Sequence, residues 1–249
     1  MFVLRSVLLG LFALHVSLTV AAAAPVILYD GSDVPTAQGW TRSSTGGTET
    51  VGSGSTRFVT TGSETPVTAV FNTYAFATGA TDFVVSIRLS VAASGFNQYD
   101  GALVFSAFGS DGWLGADRDR GLMIGETAVA WGDSANSDAL VNTGTFHEYA
   151  FRYLGGTLDV YIDSAFDSIV GGTATPVLSR AAVPPAHWSV GTIVFGDNTN
   201  DVGYGSDYIV DFVKFQNLAL VQLPEPAALA MLVGALGWMA RRRAKQTRG

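Results

Sequence analysis

The chain has 249 residues with 14 basic and 21 acidic side chains, and its formal net charge at pH 7 is −7. It has no cysteine, which excludes disulfide bonds and thiolate metal sites. The central part, residues 25–222, contains only eight of the basic residues and twenty of the acidic ones. This acidic balance argues against nucleic acid or anionic lipid as a partner, because both are bound through basic side chains. It is compatible with cations and with neutral glycans.

The first 24 residues have the organisation of a secretory signal peptide. Arg5 is the only charged side chain before an apolar stretch from Val7 to Val20. Small residues follow, and they place signal cleavage at Ala23 or Ala24. An uncleaved membrane helix is the alternative interpretation. The segment predicts export from the cytoplasm.

Residues 25–222 alternate with period two and are interrupted by turn residues about every ten positions, which indicates an all-β sandwich or barrel. Phe83, Val85 and Ile87, for example, alternate with Val84, Ser86 and Arg88. No fixed-period repeat or linker is visible, so we predict one antiparallel β-sandwich domain. Further strands are predicted at Val26–Tyr29, Ala102–Phe108, Leu122–Ile124, Thr127–Trp131, Ser189–Phe195 and Tyr208–Phe215.

The clearest unit is a β-hairpin. Its first strand, His147–Tyr153, places His147 and three aromatic residues on one face. Gly155-Gly156 then supplies the turn, and Leu158–Ile162 returns with apolar residues at every second position. Two glycines between two alternating strands are a strong signal for a tight hairpin turn.

The last segment, residues 223–249, has three parts. Pro224-Glu225-Pro226 is expected to be extended, because proline fixes φ and restricts the residue before it. The apolar run Ala227–Ala240 has 14 residues, which as a helix cover roughly 21 Å of a ~30 Å hydrocarbon core. Arg241, Arg242 and Arg243 then belong on the cytoplasmic side of a membrane. We therefore predict a short C-terminal hydrophobic helix that is a poor permanent anchor.

This tail resembles the PEP-CTERM sorting domain of bacterial exopolysaccharide producers. The resemblance implies processing by an exosortase-type enzyme and transient tethering to the inner membrane through the C-terminal helix. It also implies delivery to the cell surface or the extracellular matrix. The alternative is an ordinary tail anchor with a chance Pro-Glu-Pro.

Residues 146–163, FHEYAFRYLGGTLDVYID, resemble the middle hairpin of concanavalin A-like jelly rolls. That group includes laminin-G-type domains, legume lectins and laminarinase-type glycoside hydrolases. Residues 209–215, IVDFVKF, resemble the terminal strand of the laminarinase type. The resemblance implies a jelly-roll β-sandwich, with a different bacterial β-sandwich as the main alternative.

A glycosidase needs two facing carboxyl groups, which laminarinase-type relatives carry as Glu-x-Asp-x-x-Glu on one strand. The central part has four glutamates, Glu49, Glu64, Glu126 and Glu148, and none begins that motif. His147 shares a strand face with aromatic residues, which favours packing over catalysis. We therefore predict that the protein is not an enzyme, with a divergent glycoside hydrolase as the less favoured alternative.

The resemblance also implies a structural Ca²⁺ ion, held by the aspartate of the last strand and by oxygens near the first strand. The matching positions are Asp211 and the turn at Asp30. Clustered oxygen ligands suit this hard cation. The alternative is that Asp30 only forms the turn.

A glycan can be bound by exposed aromatic faces together with loop aspartates. The candidate residues are Tyr99, Asp100, Trp113, Tyr204 and Asp207, and the alternative is that they are ordinary loop and core residues. Taken together, the sequence predicts an exported, surface-sorted, non-catalytic matrix component associated with exopolysaccharide. A calcium-dependent, lectin-like carbohydrate-binding module is the alternative.

Overall fold

The fold consists of antiparallel strands in two large sheets and one small one. The computed structural model describes residues 24–43, 47–60, 72–94, 96–97, 100–101, 103–109, 121–132, 139–140, 145–181, 189–197 and 205–220. Besides the strands it contains helix α1 (Phe166–Val170) and 3-10 helices at Pro35–Gln38 and Leu218–Leu220. The strands are β1 (Val26–Tyr29), β2 (Thr41–Arg42), β3 (Thr48–Gly52), β4 (Ser55–Val59), β5 (Asn72–Ala77), β6 (Phe83–Ser94), β7 (Phe96–Asn97), β8 (Asp100–Gly101), β9 (Leu103–Ser106), β10 (Gly121–Ile124), β11 (Ala128–Trp131), β12 (Ala139–Leu140), β13 (His147–Leu154), β14 (Thr157–Ile162), β15 (Leu178–Ala181), β16 (Thr192–Asp197) and β17 (Ser206–Asn217).

The two large sheets face each other as a sandwich. Sheet A has the order β15-β14-β13-β6-β17-β4-β3, and β1 pairs with β17 beside β4. Sheet B has the order β12-β11-β10-β9-β16-β5-β2, and β7 pairs with β8 in the small sheet. Aromatic rings join the sheets in the core, for example Phe105 of β9 stacked on Phe151 of β13 at 4.7 Å between ring centroids. The predicted antiparallel β-sandwich of jelly-roll type is confirmed.

The predicted hairpin is confirmed as β13 and β14, paired from Tyr149–Ile162 to Leu154–Thr157. Gly155 and Gly156 have φ values of +56° and +83°. A two-residue turn of this kind needs positive φ at both positions, which glycine adopts without strain. The turn is also fixed by the Gly155 amide, which donates to the Asp82 carboxylate over 3.0 Å.

Two features of the fold were not visible in the sequence pattern. The strand predicted at Ser189 begins at Thr192 instead, because Gly191 has φ +77° and the Thr192 amide closes a turn on the Ser189 carbonyl. Helix α1 packs Phe166 and Ile169 on the outer face of sheet A. Five helical residues are too few to produce a recognisable period of 3.6.

The predicted terminal segments, residues 1–24 and 223–249, fall outside the described residues except for Ala24. Within the part of the chain that is described, no helix combines the length and the apolar character needed to cross a bilayer.

Gly31 lies where the first turn meets the backbone of β17. A Cβ added there would lie 2.6 Å from the Gly54 carbonyl oxygen and 2.7 Å from the Asp211 carbonyl oxygen. Its φ is +70°. We expect Gly31→Ala to lower the free energy of unfolding by about 2–4 kcal/mol, through positive-φ strain and overpacking.

Gly54→Ala is the matched control for that prediction, because Gly54 has φ +77° and open space around it. Positive-φ strain alone should cost about 1 kcal/mol there. Urea unfolding of both variants measures the difference. Equal losses in the two variants would show that the close approach at Gly31 has no energetic effect.

Candidate functional site

One end of the sandwich collects most of the polar residues of interest. We call it the loop end and define it by the last residues of β4, β6 and β16 (Val59, Ser94 and Asp197) and the first residue of β17, Ser206. Ser206 is opposite Ser94, and Asp197 is opposite Leu103, the first residue of β9. Strands of both sheets therefore begin and end at the loop end.

Two of the five candidate glycan-binding positions lie among the described residues of the loop end. Asp100 lies in β8, and Asp207 is the second residue of β17. Tyr99 and Tyr204 lie outside the described residues, but each belongs to a segment that connects strands at this end. Trp113, also outside the described residues, belongs to the connection from β9 to β10, whose flanking residues Ser106 and Gly121 pair at the opposite end.

Asp207 forms an ion pair with Arg57 of β4. The Arg57 Nε donates to Asp207 Oδ1 over 2.8 Å, and Nη2 lies 2.5 Å from Oδ2. The hydrogen bond from Arg57 holds the pKa of the Asp207 carboxyl below its ordinary value. Both oxygens are engaged, so this side chain stabilises the β4–β17 pairing and can bind a sugar hydroxyl only with its remaining lone pairs.

A buried carboxylate, Asp197, lies at the base of the loop end and is 1% exposed. Its Oδ2 accepts hydrogen bonds from the hydroxyls of Thr60 and Ser206, the latter over 3.0 Å. The Ser206 amide donates to the Thr60 hydroxyl over 2.9 Å, and the Thr60 amide donates to the Ser206 carbonyl. This network fixes the strand ends from which two loop-end segments leave, since a buried carboxylate requires such partners.

A second polar group, away from the loop end, joins the start of β13, opposite Leu89, to the residue that follows β14. His147 Nδ1 is 2.6 Å from Asp163 Oδ2, and His147 Nε2 is 3.2 Å from Thr145 Oγ1. The Glu148 amide donates to Asp163 Oδ1 over 3.0 Å. The alternation pattern favours packing for His147, and its ring does lie edge-on to Tyr149 at 6.2 Å between ring centroids. The ring also connects a hydroxyl and a carboxylate.

The predicted calcium positions are adjacent through their backbones, as the close approach of Gly31 to the Asp211 carbonyl shows. The Asp211 carboxylate pairs with Arg88 on the outer face of sheet A. The Asp30 carboxylate accepts from Ser32 and from Gln38, and the Ser32 hydroxyl is the main cause that lowers its pKa. Among the described residues, no group of three or more Asp, Glu or His side chains could hold a metal ion.

Sequence reasoning missed Asp197, Thr145 and Asp163 as members of a site. Asp197 is read from the sequence as part of an acidic loop, because its partners Thr60 and Ser206 lie in other strands. The one sequence signal for Asp163 is its position directly after the second strand of the hairpin. In the structure its φ is +54°. Outside glycine such a φ is uncommon and often marks a functional position.

The comparisons with known proteins support the β-sandwich fold, but they do not assign the chain to a protein family. No protein-family model matches the chain, and no curated protein matches it. A solved sialidase matches with 14% identity and a TM-score of 0.51, covering 79% of this chain and 19% of that one. The chain thus spans about a fifth of the sialidase's length.

Two further structures match with TM-scores under 0.5. One is a carbohydrate esterase of the Shiga toxin-encoding bacteriophage phi24B, with 15% identity and a TM-score of 0.49, and the match covers 78% of this chain and 99% of that one. The other is a β-glucanase of Bacillus licheniformis, with 12% identity and a TM-score of 0.40, and the match covers 78% of this chain and 98% of that one. At such identities the likeness concerns the fold alone. The likeness to the sialidase supports the β-sandwich fold that the resemblance implied.

The prediction that the protein is not an enzyme is wrong. A protein named as a sialidase is among the solved structures that share this fold. The missing Glu-x-Asp-x-x-Glu strand excludes one arrangement of catalytic groups, whereas a sandwich can bring polar side chains together from strands far apart in sequence. The absence of one motif therefore does not exclude catalysis on this fold.

Proposed function

We propose that the protein is an exported, surface-sorted component of an extracellular matrix that binds polysaccharide at the loop end. The observation that carries this proposal is the position of Asp100 in β8 and of Asp207 near the start of β17, both at the loop end. In the sequence, Tyr99 directly precedes Asp100, and Tyr204 lies three residues before Asp207. The hydrogen bonds around Asp197 support the proposal, since they hold the bases of these segments on a rigid scaffold. Stacking aromatics beside polar side chains suit neutral sugars.

The sorting part of the proposal rests on the terminal sequences. The signal peptide with cleavage at Ala23 or Ala24 would export the chain. Pro224-Glu225-Pro226, the apolar run and the cluster Arg241–Arg243 would present the tail to an exosortase-type enzyme at the inner membrane. The protein would then reach the cell surface or the matrix. These features match the PEP-CTERM pattern of exopolysaccharide producers.

The proposal includes one structural Ca²⁺ ion beside β17, with Asp211 and the Asp30 turn as the positions that would supply oxygen ligands. The nearby carbonyl oxygens of Gly31 and Asp33 already converge on the Thr56 hydroxyl at 3.1 and 3.3 Å. Carbonyl and carboxylate oxygens are the ligands that calcium prefers. The ion would stabilise the pairing of β1 with β17 rather than take part in binding sugar.

The test is a binding measurement with the full-length chain, kept in mild detergent, on the producing organism's exopolysaccharide. We expect saturable binding, and we expect Tyr204→Ala and Tyr99→Ala each to weaken it by about 10-fold, as the loss of about 1–1.5 kcal/mol from one stacking contact predicts. Trp113→Ala is the matched control, because its segment joins strands at the opposite end, and it should leave the affinity unchanged.

Two outcomes would contradict the proposal. Equal losses for Trp113→Ala and the tyrosine variants would remove the loop end as the binding region, and absence of binding would remove polysaccharide as the partner.

Repeating the unfolding transition with calcium and with a chelator tests the ion separately, since an ion that binds only the folded state raises the midpoint. The appearance of new reducing ends would add glycoside hydrolysis to the function.

A further inference from the structure

The hydrogen bonds of Thr145, His147 and Asp163 run in the order hydroxyl, imidazole, carboxylate. The distances are 3.2 Å from the hydroxyl to Nε2 and 2.6 Å from Nδ1 to the carboxylate. This order is the arrangement that activates a hydroxyl as a nucleophile, and it is recognised by geometry on unrelated folds. We propose that these three residues form a relay that hydrolyses short-chain carboxylic esters. The activity goes beyond polysaccharide binding and does not depend on it.

The carboxylate of Asp163 is held in a fixed orientation. Its Oδ1 accepts the Glu148 amide over 3.0 Å, and its own amide donates to the Glu148 carbonyl over 2.9 Å. The second oxygen, Oδ2, is thereby aimed at His147 Nδ1. An ionised carboxylate can only accept, so the imidazole proton resides on Nδ1 and Nε2 presents a lone pair. Asp163 is therefore a positioning residue that sets the tautomer.

The exposures of the three side chains differ in the way that a nucleophile relay requires. The imidazole of His147 is largely covered, with 12% of its side chain exposed, and it lies against the buried ring of Tyr149. Thr145 is exposed and lies two residues before the first residue of β13. The base is thus held in place while the hydroxyl can be reached from solvent.

The reaction balances with water as the only co-reactant. Thr145 Oγ1 attacks the ester carbonyl carbon while its proton moves to His147 Nε2. The bond from that carbon to the alcohol oxygen then breaks, and the alcohol leaves with the proton from Nε2. Water next attacks the acyl-threonine, giving one proton to Nε2, and the bond to Oγ1 breaks. Oγ1 takes that proton back, and the acid is released.

The surroundings favour a neutral ester. Asp163 adds a negative charge beside the relay, whereas the charge of Glu148 is compensated by Lys214 at 3.1 Å, and the central part of the chain carries twenty acidic against eight basic residues. An acyl or alcohol group with a negative charge would be repelled from this region. An uncharged short acyl group on an uncharged alcohol meets no such barrier.

The experiment has two readouts on the full-length chain. One is the hydrolysis of p-nitrophenyl acetate, and the other is covalent labelling by a fluorophosphonate probe, with the labelled residue located by mass spectrometry. We expect turnover above that of buffer and a label on Thr145. We expect Thr145→Ala and His147→Ala to lower kcat/KM by at least about 100-fold, the usual effect of removing a nucleophile or a general base.

Three variants separate catalysis from folding. Thr145→Ser should retain activity and the label. Asp163→Asn should keep the fold, because asparagine tolerates positive φ, yet slow labelling of Thr145 by at least about 10-fold through the wrong tautomer. Ser179→Ala is the matched control, because its exposed hydroxyl bonds to the Asp159 carboxylate over 2.6 Å without an imidazole between them, and it should change neither readout.

The proposal is overturned if wild-type protein neither turns over the ester nor labels at Thr145. It is also overturned if Thr145→Ala remains folded by circular dichroism and keeps wild-type kcat/KM. A loss of stability in Asp163→Asn with unchanged labelling of Thr145 would assign Asp163 to the hairpin alone and overturn its place in the relay. Each result is independent of polysaccharide binding.

Discussion

Replacing Phe195 with alanine is expected to lower the free energy of unfolding by about 3–5 kcal/mol, the cost of removing a buried phenylalanine ring. Phe195 lies in β16 and is fully buried. Its ring lies 5.1 Å from Trp40, 5.4 Å from Tyr74, 6.0 Å from Phe58 and 6.1 Å from Tyr29, measured between ring centroids. The substitution would leave a cavity among four aromatic rings, of which Tyr29 and Phe58 lie in sheet A and Tyr74 lies in sheet B.

The measurement is thermal and urea unfolding of the variant beside wild type. For a domain of this size the loss corresponds to a fall in Tm of roughly 6–20 °C. Phe212→Ala is the matched control, because Phe212 is only half-buried on β17 and contacts Lys214 at 4.3 Å from Nζ to the ring centroid. Phe212→Ala should lower the free energy of unfolding by less than half as much as Phe195→Ala. Equal losses would mean that the aromatic cluster does not dominate the core.

Much of the fold could be predicted from the sequence because local patterns specified it. β1 begins and ends at the predicted residues, and the glycine turn between β13 and β14 is specified by two adjacent residues. The predicted strand at Ala102–Phe108 corresponds to β9, which is central in sheet B and wholly buried. The strand order could not be predicted, since it depends on pairings such as that of β6 with β17 between residues more than 100 positions apart.

The candidate site was less predictable for the same physical reason. The Asp197 network joins Thr60 to Ser206 across 146 positions, and no local spacing predicts such a contact. His147 was found in the sequence, but alternation alone gave it a packing role. Its role as a link between a hydroxyl and a carboxylate depends on the register of the hairpin, which brings Asp163 back to the start of β13. Sequence alternation predicts which face of a sheet a side chain lies on, but it does not predict the hydrogen-bond partners of that side chain on other strands.

Alkaline pH is expected to destabilise the protein steeply, beginning near pH 10. Burial raises the pKa of Tyr29 from 10.0 to about 12. It also raises the pKa of Tyr149 and of Tyr208 well above the ordinary value. Because these folded-state pKa values are raised, the stabilisation is fully present below pH 10, the unfolded pKa. It is lost as pH rises toward the folded values, while the unfolded chain releases protons that the folded protein retains.

The expected slope follows from proton linkage. Above pH 10, each tyrosine lowers the free energy of unfolding by about 1.4 kcal/mol per pH unit while its hydroxyl stays protonated in the folded state. The three tyrosines together therefore lower it by about 4 kcal/mol per pH unit. For Tyr29 the loss is complete near pH 12, where the folded group titrates. Urea unfolding between pH 8 and pH 11 measures the slope, and tyrosinate absorbance reports which state carries the charge.

Tyr208→Phe tests the assignment to individual residues. The Tyr208 hydroxyl is buried and has no hydrogen-bond partner among the described residues. Removing it should therefore leave stability at pH 8 unchanged or raise it by about 1 kcal/mol, because no bond is lost and a buried polar group is removed. Above pH 10 the variant should lose stability with about two thirds of the wild-type slope. A stability that stays flat up to pH 11 in wild type would contradict the burial of all three hydroxyls, and an unchanged slope in Tyr208→Phe would contradict that of Tyr208.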